Sequence, residues 1–139
     1  MTKTSDKFAN NPQTFMNSYL SGMRNTIITL TLGIGIYGFS KTFNTKKADL
    51  IMRMLSVVMY GYSLTLCVNT NLMFRSYIKK LEKENPKDLP GYIELKYWRV
   101  YEILGWVFSF ILICLFLLAG QRFLSKLVET SANNNYRRN

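Results

Sequence analysis

Three stretches without a single Asp, Glu, Lys or Arg constrain this chain most: residues 25–40, 54–74 and 103–121, or 16, 21 and 19 residues. Each helix of a small soluble domain must turn a polar face to water, so three such runs in 139 residues do not suit one. Hydrophobic residues make up 48% of the chain, which also excludes disorder. Each run approaches the ~20 residues needed to cross ~30 Å of hydrocarbon. Allowing for boundary residues, spans are expected at about 23–43, 50–74 and 101–123, with Arg24 and Lys41, Arg53 and Arg75, and Glu102 and Arg122 near their ends. No strand-like alternation and no internal repeat occurs. The fold class expected is all-α: an integral membrane protein with three transmembrane helices, multi-pass.

Residues 1–22 read as a polar N-terminal segment. Asn11-Pro12 marks a helix start, since Asn is a good N-cap and Pro is tolerated in the first turn. Phe15, Met16, Tyr19, Leu20 and Met23 then recur at helical spacing. A short amphipathic helix lying on the bilayer is expected here, the alternative being the first turns of a longer spanning helix. After the linker 44–49, the second helix should continue through SYIKKLEKE until Asn85-Pro86 stops it. A helix over 47–84 is about 57 Å long and would project beyond the headgroups. The segment NPKDLPG is a turn cluster, and Tyr92, Tyr97, Trp98, Tyr101 and Trp106 after it fit an interfacial aromatic belt. Residues 23–130 form the three-helix membrane domain in this reading, and 131–139 a polar tail.

Eighteen basic residues against eight acidic give a formal charge of +10. The cations lie at the ends of apolar runs, where Lys and Arg reach towards headgroups. No nucleic-acid motif is present, so the bilayer is the expected anionic partner and nucleic acid is not. The chain has no histidine, which excludes Ser-His-Asp and Cys-His nucleophiles and His-bearing zinc sites. Its two cysteines, Cys67 and Cys114, lie inside apolar runs, where no disulfide is expected. No carboxylate pair has the spacing for acid–base chemistry, and the glycines of LGIGIYG lie within a span rather than in a phosphate loop. No enzyme activity, cofactor or metal is therefore expected. The first 24 residues lack an apolar core of signal-peptide type, so the first span itself should direct targeting. Lys plus Arg number ten on the side holding 1–24 and 75–101 and eight on the other, a small margin that favours the N-terminus inside only weakly.

Lipid removes the hydrophobic drive between membrane helices, so their contacts rely on small residues and hydrogen bonds. Ser18, Gly22, Thr26, Thr29, Gly33 and Ser40 fall within about 80° of helical arc. Ser56, Tyr60, Ser63, Cys67 and Thr70 fall within a similar arc, with Arg53 and Asn71 at its edge. Gly105, Ser109 and Gly120 align on the otherwise apolar third span. Helix packing is the role assigned to Gly22, Thr26, Thr29, Gly33, Ser40, Ser56, Tyr60, Ser63, Cys67, Gly105 and Ser109; the sharper alternative is a polar path through an oligomer. Arg24, Arg53 and Arg75 are candidates for contact with lipid phosphate or a polyanion, and Glu102 is placed to pair with Arg24 or Arg75.

The stretch SYLSGMRNTIITLTLGIGIYGF (18–39) resembles the signature of the small three-span family catalogued as domain of unknown function 202, which includes the small membrane subunit of the vacuolar transporter chaperone complex. Ser18, Tyr19, Leu20, Ser21, Met23, Arg24 and Leu32-Gly33-x-Gly35 carry the likeness; Gly22 stands where the family has Trp, and its Glu-Arg pair is missing. The resemblance implies a membrane module within an oligomer or larger complex, with basic residues near the spans guiding a polyanion. Similar small proteins occur among large DNA viruses with an internal membrane. The expected function is thus a non-enzymatic membrane scaffold or anchor, such as a minor capsid or inner-membrane protein of a virion, in virion internal membrane or host endomembrane. Its partners would be other protein subunits, a capsid shell or further copies of itself. The alternative is an oligomeric pore or accessory subunit handling polyphosphate.

Overall fold

A computed structural model describes residues 12–42, 45–84 and 91–136. The described residues are all-helical: α1 (Pro12–Ser40), α2 (Lys46–Glu84) and α3 (Gly91–Tyr136). Pro12 opens α1, where its missing N–H costs no helical hydrogen bond. The last carbonyls of α1 are taken up locally. Ser40 Oγ donates to Tyr37 O at 2.8 Å, and the N–H and Oγ1 of Thr42 donate to Phe39 O at 3.0 and 2.8 Å. Thr45 caps α2 by accepting the Asp49 N–H at 3.1 Å. Asp49 sits in the first turn of α2 and Lys83 in its last, each complementing the helix dipole.

One boundary is decided between the two readings the sequence allows. Among the described residues no separate amphipathic helix precedes α1: residues 12–22 are its first turns. Nothing between Ser18 and Arg24 breaks a helix except the lone Gly22, and Phe15 and Tyr19 are buried against protein instead of lying along a surface. The polar tail read at 131–139 is helical as far as Tyr136, because α3 runs on without a proline or glycine to stop it. Asn11 and most of the turn cluster at 85–91 lie outside the described residues.

Residues 46–80 of α2 and 97–132 of α3 are long and apolar enough to cross a membrane. Only 22% of the apolar window in each is buried within the protein, whereas the core helix of a soluble domain would be mostly covered. Ile51, Val58 and Met73 on α2, and Ile103, Phe110 and Leu117 on α3, are more than half exposed. The uncharged part of α1 is shorter and richer in Thr and Gly, with Arg24-Asn25 at one end, and falls outside this class by composition.

The helices form two compact units, one of residues up to Thr26 with Thr65–Phe110, the other of Ile27–Leu64 with residues from Ile111 onward. In the first, Phe15, Tyr19, Phe74, Tyr77 and Ile78 form a buried cluster, with Met16, Met23 and Trp98 packed on it. Phe15 stacks on Tyr77 (centroids 3.8 Å apart) and Tyr19 on Phe74 (4.1 Å), and Trp98 lies 6.0 Å from Tyr77 and 6.2 Å from Phe74. Gly22 abuts Thr70 so closely that a Cβ there would come within 2.6 Å of Thr70 Oγ1. In the second unit, Gly33 lies against Tyr60 and Met59, and Gly61 against Phe116. Ser56 Oγ donates to Gly33 O at 2.8 Å, a buried bond from α2 to the backbone of α1.

Candidate functional site

The first unit holds a buried polar knot. Asn71, fully buried on α2, donates from Nδ2 to Ser109 Oγ at 2.9 Å and reaches Cys67 Sγ at 3.6 Å. Ser109 spends its proton on Gly105 O at 3.0 Å, so the 3.2 Å contact with Cys67 has the thiol as donor. Tyr19 OH donates to Tyr101 O at 3.2 Å. The approach requires a bare backbone at Gly105: a Cβ there would collide with Asn71 Oδ1 and stand 2.9 Å from Asn71 Cγ and Tyr19 OH. Among the described residues Asn71 Oδ1 has no hydrogen-bond donor. An interior amide that bonds across helices while one lone pair goes unused fixes register at some cost in stability.

Of the residues assigned to helix packing, Thr26, Gly33, Ser40, Ser56, Tyr60, Ser63, Cys67, Gly105 and Ser109 are buried, and Gly22 and Thr29 are half-buried. Their hydroxyls do not all act alike. Thr26 donates to Gly22 O at 3.0 Å and Ser40 to Tyr37 O at 2.8 Å, both within α1, where a buried hydroxyl is satisfied by its own helix. Ser56, Cys67 and Ser109 instead bond from helix to helix, joined by Asn71 and Tyr19, which lay at or beyond the edges of the small-residue stripes.

Charged grooves flank the apolar stretches. In the first unit a groove of about 330 Å³ is lined by Arg75, Lys79, Glu82, Arg99, Glu102 and Trp106 among others. Arg75 Nε lies 3.5 Å from Glu102 Oε1, and Arg99 forms an ion pair with Glu82. In the second unit a groove of about 380 Å³ is lined by Arg53, Gln121, Arg122, Ser125, Lys126 and Glu129. Arg53 Nε meets Asp49 Oδ1 at 2.8 Å, and its guanidinium lies 5.4 Å from the Tyr37 ring centroid. Arg122 Nη1 donates to Tyr37 OH at 3.4 Å, and Lys126 Nζ meets Glu129 Oε2 at 3.0 Å. Of the three arginines singled out in the sequence, Arg24 is exposed, while Arg53 and Arg75 each have a carboxylate partner.

Arg99 is exposed and Glu82 half-buried, so water screens their pair and it should contribute little. Arg99→Gln is expected to change unfolding free energy by less than about 1 kcal/mol in a denaturant titration; a larger loss would show that the pair holds α2 and α3 together in this unit.

The described residues contain no group of three or more His, Cys, Asp or Glu side chains able to hold a metal ion. What the described residues do show is hydrogen-bonded packing and grooves lined by cations. Comparison with protein-family models, curated proteins and solved structures gives no match.

Proposed function

We infer that this chain is an integral membrane protein whose three helices all cross the bilayer, and that it serves as a non-enzymatic anchor or scaffold subunit of a larger membrane assembly. The observation that carries this reading is the outward-facing apolar surface of α2 and α3, bounded by charged grooves. Lipid satisfies such a surface; water does not. A third crossing is supported by contacts inside each unit: α1 packs on α2 at Gly22 with Thr70 and at Gly33 with Tyr60. Ile27, Ile28, Leu32, Ile34 and Phe39 on α1 are also more than half exposed.

Length supports the scaffold role. At about 1.5 Å per residue α2 is about 58 Å long and α3 about 69 Å, well beyond the ~30 Å hydrocarbon layer. Their charged ends would stand clear of the lipid and offer surfaces to other subunits. A polyanion conduit is less well supported, because Arg53 and Arg75 are engaged by Asp49 and Glu102 rather than free to form a cationic ring.

Membranes containing the chain should retain it through alkaline carbonate extraction and release it in mild detergent as part of a larger particle. Recovery in the carbonate supernatant would overturn the membrane reading. A lone chain after gentle extraction and cross-linking would overturn the scaffold reading.

A further inference from the structure

We propose that the groove formed by Arg53 of α2 and Gln121, Arg122, Ser125 and Lys126 of α3 binds the phosphodiester headgroup of an anionic phospholipid. The site rests on the membrane-spanning reading and adds a ligand to it. Its donor set suits phosphate: two guanidinium groups, an ammonium and a carboxamide line a space of about 380 Å³, beside the Ser125 hydroxyl, which donates to Gln121 O, and the Glu129 carboxylate, which Lys126 engages. Arg122 is the centre of the site. Its guanidinium is held by the bond to Tyr37 OH, and among the described residues it has no carboxylate partner, so its other N–H donors can meet an incoming anion.

The charge of the groove favours an anion. Arg53 is paired with Asp49 and Lys126 with Glu129, which also feels Lys46, and Arg122 is left as a cation beside these pairs. The surroundings select lipid over soluble phosphate. The groove opens where the uncharged run 103–121 ends, and Leu118, one turn before Arg122, is 53% exposed. An acyl chain can lie along that apolar flank while the headgroup meets the cations. A free phosphate or polyphosphate would gain nothing from it.

The test is native mass spectrometry of the full chain, solubilised in detergent with equal amounts of phosphatidylglycerol and phosphatidylcholine. The wild type should retain one phosphatidylglycerol in preference to phosphatidylcholine by about tenfold. Arg122→Gln and, separately, Lys126→Gln should bring that preference close to unity, with helicity by circular dichroism unchanged. Lys80→Gln, in the other unit, should leave it intact. Equal retention of both lipids by the wild type, or an undiminished preference in both groove variants, would overturn the site. Displacement of the lipid by equimolar inorganic tripolyphosphate would assign the groove to soluble phosphate and likewise overturn it. Failure of the membrane reading would look different: the wild type would stay dispersed without detergent.

Discussion

Phe74→Ala is expected to destabilise the solubilised protein by about 3–5 kcal/mol. Phe74 is fully buried among Phe15, Tyr19 and Trp98, and its ring is the centre of the stacked cluster. Arg75 follows it immediately, so the cluster lies where charge returns to the sequence. On the proposed membrane reading, water reaches the surrounding surface there, and burial gains the hydrophobic free energy that lipid denies to packing within the apolar runs. Truncation would open a cavity between rings that are too rigid to collapse into it. The measurement is equilibrium unfolding in detergent followed by tryptophan fluorescence, since Trp98 packs on the cluster. A loss below about 1 kcal/mol would mean that the rings do not hold the first unit together.

Gly105→Ala is expected to cost about 1–3 kcal/mol, although alanine is the better helix former. The added methyl would collide with Asn71 Oδ1 and crowd Tyr19 OH, forcing Asn71 away from Ser109 or α2 away from α3 within this unit. Gly120→Ala is the matched control on the same helix. Its Cβ would meet no atom within 4 Å, so it should be neutral or stabilising by up to about 1 kcal/mol. Thermal melts of the two variants in one detergent decide the point. Equal behaviour would show that the close approach at Gly105 has no energetic consequence.

Much of the architecture is legible in the uncharged runs, because a chain with three of them and no alternating pattern has few options besides long helices. The reach of α2 could be read closely, 47–84 against the observed Lys46–Glu84, since its pattern continues until Asn85-Pro86. The interior of the first unit was harder to read. Phe74 and Ile78 prolong the face already marked by Ser56, Tyr60, Ser63 and Cys67, but the residue type changes from small to large as the charged segment begins. A search for small residues therefore stops short of the cluster. Trp98 reads as an interfacial ring by composition, yet it packs on Phe74 and Tyr77. Local spacing gives no hint of such a contact.

The grooves show the same division. Asp49 with Arg53 and Lys126 with Glu129 are pairs on one helical face, visible as i,i+4 and i,i+3 spacings. The bond from Arg122 to Tyr37 joins residues 85 positions apart, and only the packing of helices reveals it. Asn71 could be placed at the edge of a stripe, but its partners Ser109 and Gly105 lie on another helix, and no periodicity within α2 points to them.

Three crossings can be tested directly by placing single cysteines in a chain lacking Cys67 and Cys114, at Asn17, Thr45, Lys83 and Ser131. All four positions are exposed, and they fall near the start of α1, between α1 and α2, near the end of α2 and near the end of α3. Labelling sealed vesicles with a membrane-impermeant maleimide should mark Asn17→Cys and Lys83→Cys from one side, and Thr45→Cys and Ser131→Cys from the other. Reaction of Asn17→Cys and Thr45→Cys from the same side would contradict the account, because α1 would then not cross.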